Sequence, residues 1–238
     1  MTKQERATRT RRALIHSAAT VIERHGYAEA RLVLISSGAG VSTGALHFHF
    51  ENKAAIAEAV VTEALRGLAE VSGTIRHRND TALQALVDTS HAVAELLRED
   101  PVTRAGFRIS CDGEGSGAPD LRAEWLARVQ DLLADAAAAG TLAEGVSRAD
   151  AAAATVAVTA GFEVLGRHDS GWLSPQTLTG FWHLLLPRLA APDVLALLDP
   201  SGPGAKETVS GHVGSTEAGA PASRSTVRAT PPFPDSCS

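Results

Sequence analysis

The residues with the clearest chemical signal lie between Val41 and Phe50, where the sequence reads VSTGALHFHF. Ser42 can accept a hydrogen bond from the free amides at the start of a helix. The segment that follows is short and polar at its N-terminal end. Such a helix suits the major groove of DNA, where its first residues reach phosphates and base edges. We therefore predict that these residues form the recognition helix of a helix-turn-helix.

The residues before this segment complete the motif. Leu32, Leu34 and Ile35 predict a short helix that ends at Gly38-Ala39-Gly40. Gly40 can adopt the positive φ that turns the chain into the next helix. The first helix would then lie across the DNA backbone while the second enters the groove. The larger side chains of the second helix are assigned to packing inside the domain; these are Leu46, Phe48 and Phe50.

The same residues permit two other interpretations. Leu32 to Ile35, followed by Gly38, Gly40 and Gly44, has the pattern of a strand and a glycine-rich phosphate loop. That pattern would make the protein a Rossmann-like nucleotide-binding oxidoreductase, but such a fold needs further βαβ units. After residue 50 the chain shows almost only helical periodicity. The remaining interpretation is a buried helix pair without a ligand.

Charge is distributed unevenly along the chain and favours the DNA interpretation. Residues 1–53 contain eight Lys or Arg and four Asp or Glu, whereas residues 54–238 contain fourteen and twenty-three. Cations that neutralise phosphates release condensed counterions, which drives binding to DNA. Five such cations lie in the first dozen residues: Lys3, Arg6, Arg9, Arg11 and Arg12.

The helical periodicity predicts an all-α protein with a three-helix head joined to a larger helical body. We expect a DNA-binding head over residues 1–53 and a ligand-binding and dimerisation body over residues 54–200. Residues 201–238 are rich in Gly, Ser, Thr and Pro, so we expect them to form a disordered tail. Pro187 is expected to kink or shorten its helix. The predicted helices span 6–25, 31–38, 42–49, 52–72, 81–98, a short segment from Asp100-Pro101, 119–139, 147–166, 174–190 and a final turn or two at 192–198.

Composition and residue spacing indicate the cellular compartment and the classes of function to expect. We find no apolar run of 18 residues, so no membrane span is expected, and the charged N-terminus lacks the apolar core of a signal peptide. Cys111 and Cys237 are far apart, which fits a reducing cytoplasm. No catalytic constellation and no metal-ligand spacing is present, so we expect neither an enzyme, nor a metal site, nor a cofactor.

The head closely resembles the TetR family of one-component repressors. The residues that carry the resemblance are Gly26-Tyr27, Ile35, Ala39-Gly40-Val41-Ser42, Gly44-Ala45-Leu46, Phe48-His49-Phe50 and Asn52-Lys53. The resemblance implies that Thr43, Gly44 and His47 face the groove. It also implies that Ser42, His49 and Lys53 lie near phosphates. Relatives usually have Thr or Ser at Ala30, often Lys at Thr43, and usually Tyr at His47, so these departures should alter DNA affinity or sequence preference.

The body is most similar to the γ-butyrolactone receptors and pseudo-receptors of that family, which control antibiotic production in filamentous bacteria. The matching segments are Pro101 to Arg108 and Glu124-Trp125. The resemblance implies an apolar effector site at Trp125, and we assign Phe107, Val129 and Phe162 to the same site. It also implies a homodimer that packs through helices 147–166 and 174–190, for which the predicted apolar contacts are Phe162, Leu165, Leu178, Phe181 and Leu185.

The function that follows is a ligand-responsive repressor of secondary-metabolite genes. It would bind a pseudo-palindromic operator as a dimer and be released by a γ-butyrolactone or an endogenous antibiotic. The alternatives are the oxidoreductase described above and a degenerate family member that acts only through protein contacts. Binding to the DNA upstream of its own gene separates a repressor from both alternatives.

Overall fold

The computed structural model of the chain describes residues 2–79, 81–112 and 119–203. Its regular structure there is helical, and the only β feature is an isolated bridge between Leu142 and Ala190. The predicted all-α class is confirmed, and the Rossmann interpretation is wrong because residues 32–35 lie in a helix. The helices are α1 (Lys3–Glu29), α2 (Leu32–Gly38), α3 (Thr43–His49), α4 (Lys53–Arg78), α5 (Ala82–Glu99), α6 (Pro101–Asp112), α7 (Leu121–Ala138), α8 (Arg148–Gly166), a 3₁₀ turn (Ser170–Leu173), α9 (Pro175–Leu189) and α10 (Pro192–Leu195).

Helix α1 is longer than the apolar periodicity predicted. It begins at Lys3 because Thr2 and Glu5 form a capping box, in which each side chain accepts a hydrogen bond from the other residue's backbone amide. Gly26 breaks the helix at the predicted position with φ of +81°, although helical residues continue to Glu29. The basic residues of the N-terminus therefore belong to a helix and not to a flexible tail.

The helix-turn-helix forms α2 and α3, and Gly40 makes the turn between them with φ of +68°. No side chain caps α2, because the residue in the capping position is Arg31, which makes no capping hydrogen bond. Ala30 is buried and ends α1, where its amide donates to the Tyr27 carbonyl oxygen.

Helix α6 connects the head to the body. It packs against α1 and α4, while its partner α5 lies at the centre of the body and contacts α4, α7, α8 and α9. Gly106 allows α6 to approach α4 closely, because a Cβ at this position would lie 2.8 Å from the Cβ of Ala64. The core of the body is built from large side chains of α5, α6, α7 and α9, among them Phe107, Trp125 and Trp182.

The C-terminal part of the body differs from the prediction at two points. Pro187 does not end α9, since the helix continues to Leu189 with the proline in its last turn. Residues 199–203 pack on α5: the Gln84 amide bonds both the backbone N–H and the carbonyl oxygen of Asp199, and a His91 ring nitrogen lies 2.9 Å from the Pro200 oxygen. Residues 113–118 and residues 204–238, which make up most of the expected disordered tail over 201–238, lie outside the described residues.

Helix α8 is apolar on its exposed side. Among the described helices it alone meets the length and composition criteria for a membrane span, with a mean hydropathy of 1.3 over a window that is 17% buried in the protomer. Alanine and valine runs raise its hydropathy, although Asp150 and Glu163 interrupt it, so it contains no uninterrupted apolar run of 18 residues. Its exposed apolar residues include Val164 and Leu165.

Substitution of Gly106 tests the α4–α6 contact. Gly106→Ala should lower the free energy of unfolding by about 1–3 kcal/mol, because the new methyl group overpacks a filled interface. The matched control is Gly67→Ala in α4, where a Cβ meets no atom within 4 Å. This substitution should stabilise the helix by about 0.5–1 kcal/mol. Denaturant unfolding measures both changes, and a stabilised Gly106→Ala variant would contradict the packing described here.

Candidate DNA interface and effector cavity

The N-terminal end of α3 is built as the sequence predicted. The Ser42 hydroxyl accepts a hydrogen bond from the Ala45 amide at 3.1 Å and so caps the helix. Ser42, Gly44 and His47 are exposed, whereas Thr43 is half-buried with its hydroxyl 3.3 Å from that of Ser36. The structure therefore brings these four residues together on one short helix, and it holds Thr43 against α2.

The large apolar residues in and directly after α3 are divided between core and surface. Leu46 and Phe50 are buried as predicted, but the assignment of Phe48 to the core is wrong, because this side chain is 80% exposed. Helical periodicity explains the error, since residues 46 and 50 share the inner face while residue 48 lies on the opposite side. The Phe48 ring contacts the half-buried His49 ring edge to face at 5.3 Å.

Lys53 has structural partners inside the head. Its ammonium group donates to the carbonyl oxygens of Tyr27 and Ala28, both at 2.9 Å, and lies 4.6 Å from the centre of the Tyr27 ring. These contacts fasten the start of α4 to the end of α1. A phosphate near Lys53 would therefore share the ammonium group with two carbonyls, and the phosphate contact stays a prediction.

A basic surface adjoins the recognition helix. The Arg11 guanidinium lies 5.0 Å from the centre of the Phe50 ring, so the first turns of α1 pack beside the end of α3. The remaining cations of this segment are exposed: Lys3, Arg6, Arg9 and Arg12. This juxtaposition places positive charge where a DNA backbone would pass if α3 entered the groove.

Phe48 is a large exposed apolar residue of α3, and we expect it to contact DNA if α3 enters the groove. Exposed phenyl rings can cover the methyl group of thymine. Phe48→Ala should leave the free energy of unfolding unchanged within about 0.5 kcal/mol. It should weaken binding to the DNA upstream of the gene by at least about fivefold, since burial of a phenyl ring is worth roughly 1.5–3 kcal/mol.

Fluorescence anisotropy with labelled DNA measures the effect of Phe48→Ala. The control is Val33→Ala on α2, because Val33 is also well exposed, at 61%, but does not belong to the recognition helix. Equal affinity of Phe48→Ala and the unmodified protein would show that the ring does not contact DNA.

An apolar void lies in the body between α5, α8, α9 and the 3₁₀ turn. Its walls include Leu97, Val158, Phe162 and Leu178, and its free volume is about 10 Å³, about the space that one water molecule needs. An effector can therefore enter only if these helices separate. The aromatic rings around it are in contact, since the Phe162 and Phe181 centroids are 6.3 Å apart and those of Phe181 and Trp182 are 5.1 Å apart.

Of the four predicted effector residues, Phe162 alone lines this void. Trp125 is fully buried and does not line it, but its indole nitrogen lies 3.3 Å from the hydroxyl of Thr159, which does. Phe107 and Val129 are buried in the core and do not line the void either. The prediction of a shared site for all four residues therefore stays a prediction.

Trp182 adds a polar group to the wall of the void. The side chain is fully buried and lines the void, yet its indole N–H has no hydrogen-bond partner. A buried donor without an acceptor costs about 1–3 kcal/mol, so it is a ready donor for a ligand oxygen. Sequence reasoning could place Trp182 among the core aromatics, but it could not show that the indole lacks a partner.

Three comparisons place this geometry among known proteins. A profile of the bacterial regulatory proteins of the tetR family matches residues 14–60. The chain is 32% identical over 203 residues to the A-factor receptor protein of Streptomyces griseus, covering 85% of this chain and 71% of that protein.

Two solved structures share most of the fold. A gamma-butyrolactone receptor described as ArpA-like superposes with a TM-score of 0.71 and 27% identity, covering 81% of this chain and 94% of that one. CprB from Streptomyces coelicolor, solved in complex with its biological operator sequence, gives a TM-score of 0.69 and 28% identity over the same shares of the two chains.

Proposed function

Because the chain belongs to the tetR family of bacterial regulatory proteins, we propose that it is a ligand-responsive transcriptional repressor. It binds a pseudo-palindromic operator in the cytoplasm as a homodimer, and it releases the DNA when a small apolar effector enters the body. The observation that supports this proposal best is the pairing of an exposed, polar-tipped recognition helix with an aromatic void that contains an unpartnered donor. The regulated genes serve secondary-metabolite biosynthesis, in line with the γ-butyrolactone receptors that the chain resembles.

The head reads DNA through α3. Thr43, Gly44 and His47 approach base edges, while Ser42, His49 and Lys53 contact or adjoin phosphates. A neutral imidazole can donate one hydrogen bond, and its protonated form binds a phosphate more strongly. Because a dimer presents two such helices, the half-sites are expected about one helical turn, or a multiple of it, apart on one face of the duplex.

The effector occupies the void beside Trp125. An apolar γ-butyrolactone or an endogenous antibiotic supplies the hydrophobic surface that the aromatic walls require. Its carbonyl or ester oxygen accepts a hydrogen bond from the Trp182 indole, and the Trp125–Thr159 pair orients the wall on the α7 and α8 side. Entry forces α5, α8 and α9 apart, because the free volume of the void, about 10 Å³, is far smaller than a lactone or an antibiotic.

The effector changes DNA affinity through α5 and α6. Leu97 on α5 lines the void, and α6 follows α5 directly and packs on α1 and α4 of the head. An effector that favours the separated arrangement of the body disfavours the arrangement that fits the operator. A coupling free energy of about 1–3 kcal/mol changes operator affinity by roughly 5- to 150-fold.

Removal of the Trp125 indole tests the effector site. Trp125→Phe, which keeps a ring in the core, and the more severe Trp125→Ala should both bind the upstream DNA normally but resist release by γ-butyrolactones. Titration of a synthetic γ-butyrolactone against the labelled complex measures release, and circular dichroism checks that each variant is folded. Phe48→Ala serves as the reciprocal control, since it should lose DNA affinity but keep effector binding.

Two outcomes of this titration would contradict parts of the proposal. Equal release from wild type and Trp125→Phe removes the Trp125 indole from the site. An electrophoretic assay in which the wild-type protein fails to shift the upstream DNA contradicts the repressor function itself.

The dimer forms through the exposed apolar faces of α8 and α9. Of the residues first assigned to the contact, Leu178 is buried within the protomer and cannot take part, whereas Leu165 is 44% exposed. The most exposed apolar residue of α9 is Leu184, at 81%. In this interface α8 and α9 of both subunits form a four-helix bundle. The bundle buries the exposed apolar side of α8, whose mean hydropathy meets the criterion for a membrane span.

Leu184→Glu should shift the protein from dimer to monomer, because two carboxylates would face each other or apolar side chains across the two-fold axis. The matched control is Leu197→Glu, since Leu197 is equally exposed, at 78%, but lies after α10. Light scattering on size-exclusion fractions measures both masses. If Leu184→Glu remained dimeric, the interface would lie elsewhere.

A further inference from the structure

After α10 the chain returns to α5, which holds it by its backbone. We call residues 199–203 the strap. The Gln84 side-chain amide binds the backbone of Asp199 twice: its nitrogen donates to the carbonyl oxygen at 3.0 Å, and its oxygen accepts from the backbone amide at 2.8 Å. A ring nitrogen of His91 lies 2.9 Å from the carbonyl oxygen of Pro200. Two side chains of one helix therefore bind two successive residues of the strap.

Close packing at Gly202 adds to these polar contacts. Gly202 is buried and adopts φ of +70°. A Cβ at this position would lie 2.6 Å from the Cγ of His91 and 3.0 Å from its Cβ. A side chain at residue 202 would therefore have to displace either the imidazole ring or the strap, so both the backbone conformation and the contact require glycine.

A buried carboxylate orients the Gln84 amide toward the strap. Asp88 accepts a hydrogen bond from the Gln84 amide at 2.8 Å and another from the Asn79 amide at 3.0 Å. The Gln84 nitrogen thus donates both to Asp88 and to the Asp199 carbonyl oxygen, which uses its two N–H groups and leaves its oxygen for the Asp199 amide. The contact with the strap is therefore part of a satisfied hydrogen-bond network and is fixed in orientation.

The strap connects the two helices that must separate when an effector enters the void. At one end it follows α9 and α10, and the Leu189 carbonyl oxygen at the end of α9 accepts from the Ala143 amide at 2.9 Å. At the other end it is bound to His91, which directly follows Ser90, a residue of the void wall. A movement of this turn of α5 away from α9 therefore pulls on the strap.

The strap also forms part of a groove that adjoins the void. This groove has a volume of about 740 Å³ and lies between α5 and α9, and its lining includes Ser201 and Pro203. The groove and the void share Ala94, Leu173 and Leu178 in their walls. Separation of α5 from α9 at the void therefore also changes the groove that the strap lines.

From this arrangement we propose that the strap is a closing contact of the effector site, which holds α5 and α9 together and sets how readily the void opens. The link to an effector rests on the function proposed above, whereas the opening is a property of the protomer itself. A ligand that needs the open arrangement binds with an apparent affinity reduced by the fraction of molecules that are open. A weakened strap therefore increases effector affinity, which a general loss of stability does not do.

A thiol introduced into the void measures its opening without an effector. Ser90→Cys places a thiol at a buried position of the void wall, so its alkylation by iodoacetamide requires the void to open. Mass spectrometry of the peptide that contains residue 90 gives the rate. Addition of Gly202→Ala should increase this rate at least about fivefold, because the new methyl group displaces the strap from His91.

The matched control for Gly202→Ala is Gly140→Ala. Gly140 has nearly the same φ, +69°, but a Cβ there meets no atom within 4 Å. Both substitutions therefore carry the same backbone cost, and only Gly202→Ala also disturbs a contact. Gly140→Ala should leave the alkylation rate at residue 90 within about twofold of the parent protein.

A second thiol distinguishes opening of the void from unfolding of the body. Ala136 is fully buried in α7 and does not line the void, so a thiol introduced by Ala136→Cys reports unfolding. Gly202→Ala should change its alkylation no more than Gly140→Ala does. An equal increase at both thiols would mean that the strap only stabilises the fold, and it would overturn the proposal, as would equal rates at residue 90 with Gly202→Ala and Gly140→Ala.

A second substitution weakens the strap from the side of α5. Gln84→Met keeps an unbranched side chain in the helix but removes both hydrogen bonds to the Asp199 backbone. It should speed alkylation of the thiol at residue 90 as Gly202→Ala does. The control is Gln130→Met at an exposed position of α7, which should leave the rate unchanged. Equal rates in these two variants would contradict a closing role of the Gln84 contact.

The link to the effector is tested with a synthetic γ-butyrolactone and labelled upstream DNA. Gly202→Ala should release the DNA at a lactone concentration at least about threefold lower than wild type requires. If wild type responds and Gly202→Ala needs an equal or higher concentration, the strap does not control the effector site. Failure of wild type to bind the DNA or to respond to the lactone would contradict the proposed repressor function or its ligand, and the alkylation rates would still decide whether the strap closes the void.

Discussion

The packing of α6 between α1 and α4 is the contact on which the rest of the structure depends. It is possible because Gly106 has no side chain, so the backbone of α6 can approach the Ala64 methyl group of α4. On its other side, Arg104 and Arg108 bind the side chain and backbone of Glu23 on α1. Apolar close packing and charge-assisted hydrogen bonds thus hold the same helix from two directions, and a shift of α6 must change both.

Two cavities adjoin this connection and differ in size and lining. The void between α5, α8 and α9 has a volume of about 10 Å³ and is lined by aromatic residues, among them Trp182, whose indole N–H has no hydrogen-bond partner. The other cavity, of about 560 Å³, is lined by residues that include Glu23, Arg104 and Arg108. Leu97 at the end of α5 belongs to both walls, directly before the turn into α6. Both cavities therefore adjoin the same short segment of the chain.

The recognition helix shows which structural features can be predicted from residues that are close together in the sequence. Serine capping, the glycine turn and the burial of Leu46 and Phe50 were predicted from residue types and spacing, since each depends on neighbours within about one helical turn. Phe48 was misplaced because hydrophobicity was taken as a sign of burial, whereas helical periodicity puts this residue on the exposed side of α3. Lys53 was assigned to phosphate, yet its hydrogen bonds reach residues 25 and 26 positions earlier, which no local pattern reveals.

By itself, the sequence determined the all-α class, the order of the helices and the helix-turn-helix, because periodicity, caps and glycine turns are encoded by residues close together in the chain. It also indicated Phe107, Trp125, Val129 and Phe162 as candidates for an effector site, of which Phe162 lines the void. Only the tertiary structure decided that Phe107 and Val129 lie away from the void, that the Trp182 indole lacks a partner, and that arginines from separate elements converge beside Glu23. These features depend on the angles and distances between helices, which are set by the packing of the whole core and not by any single segment.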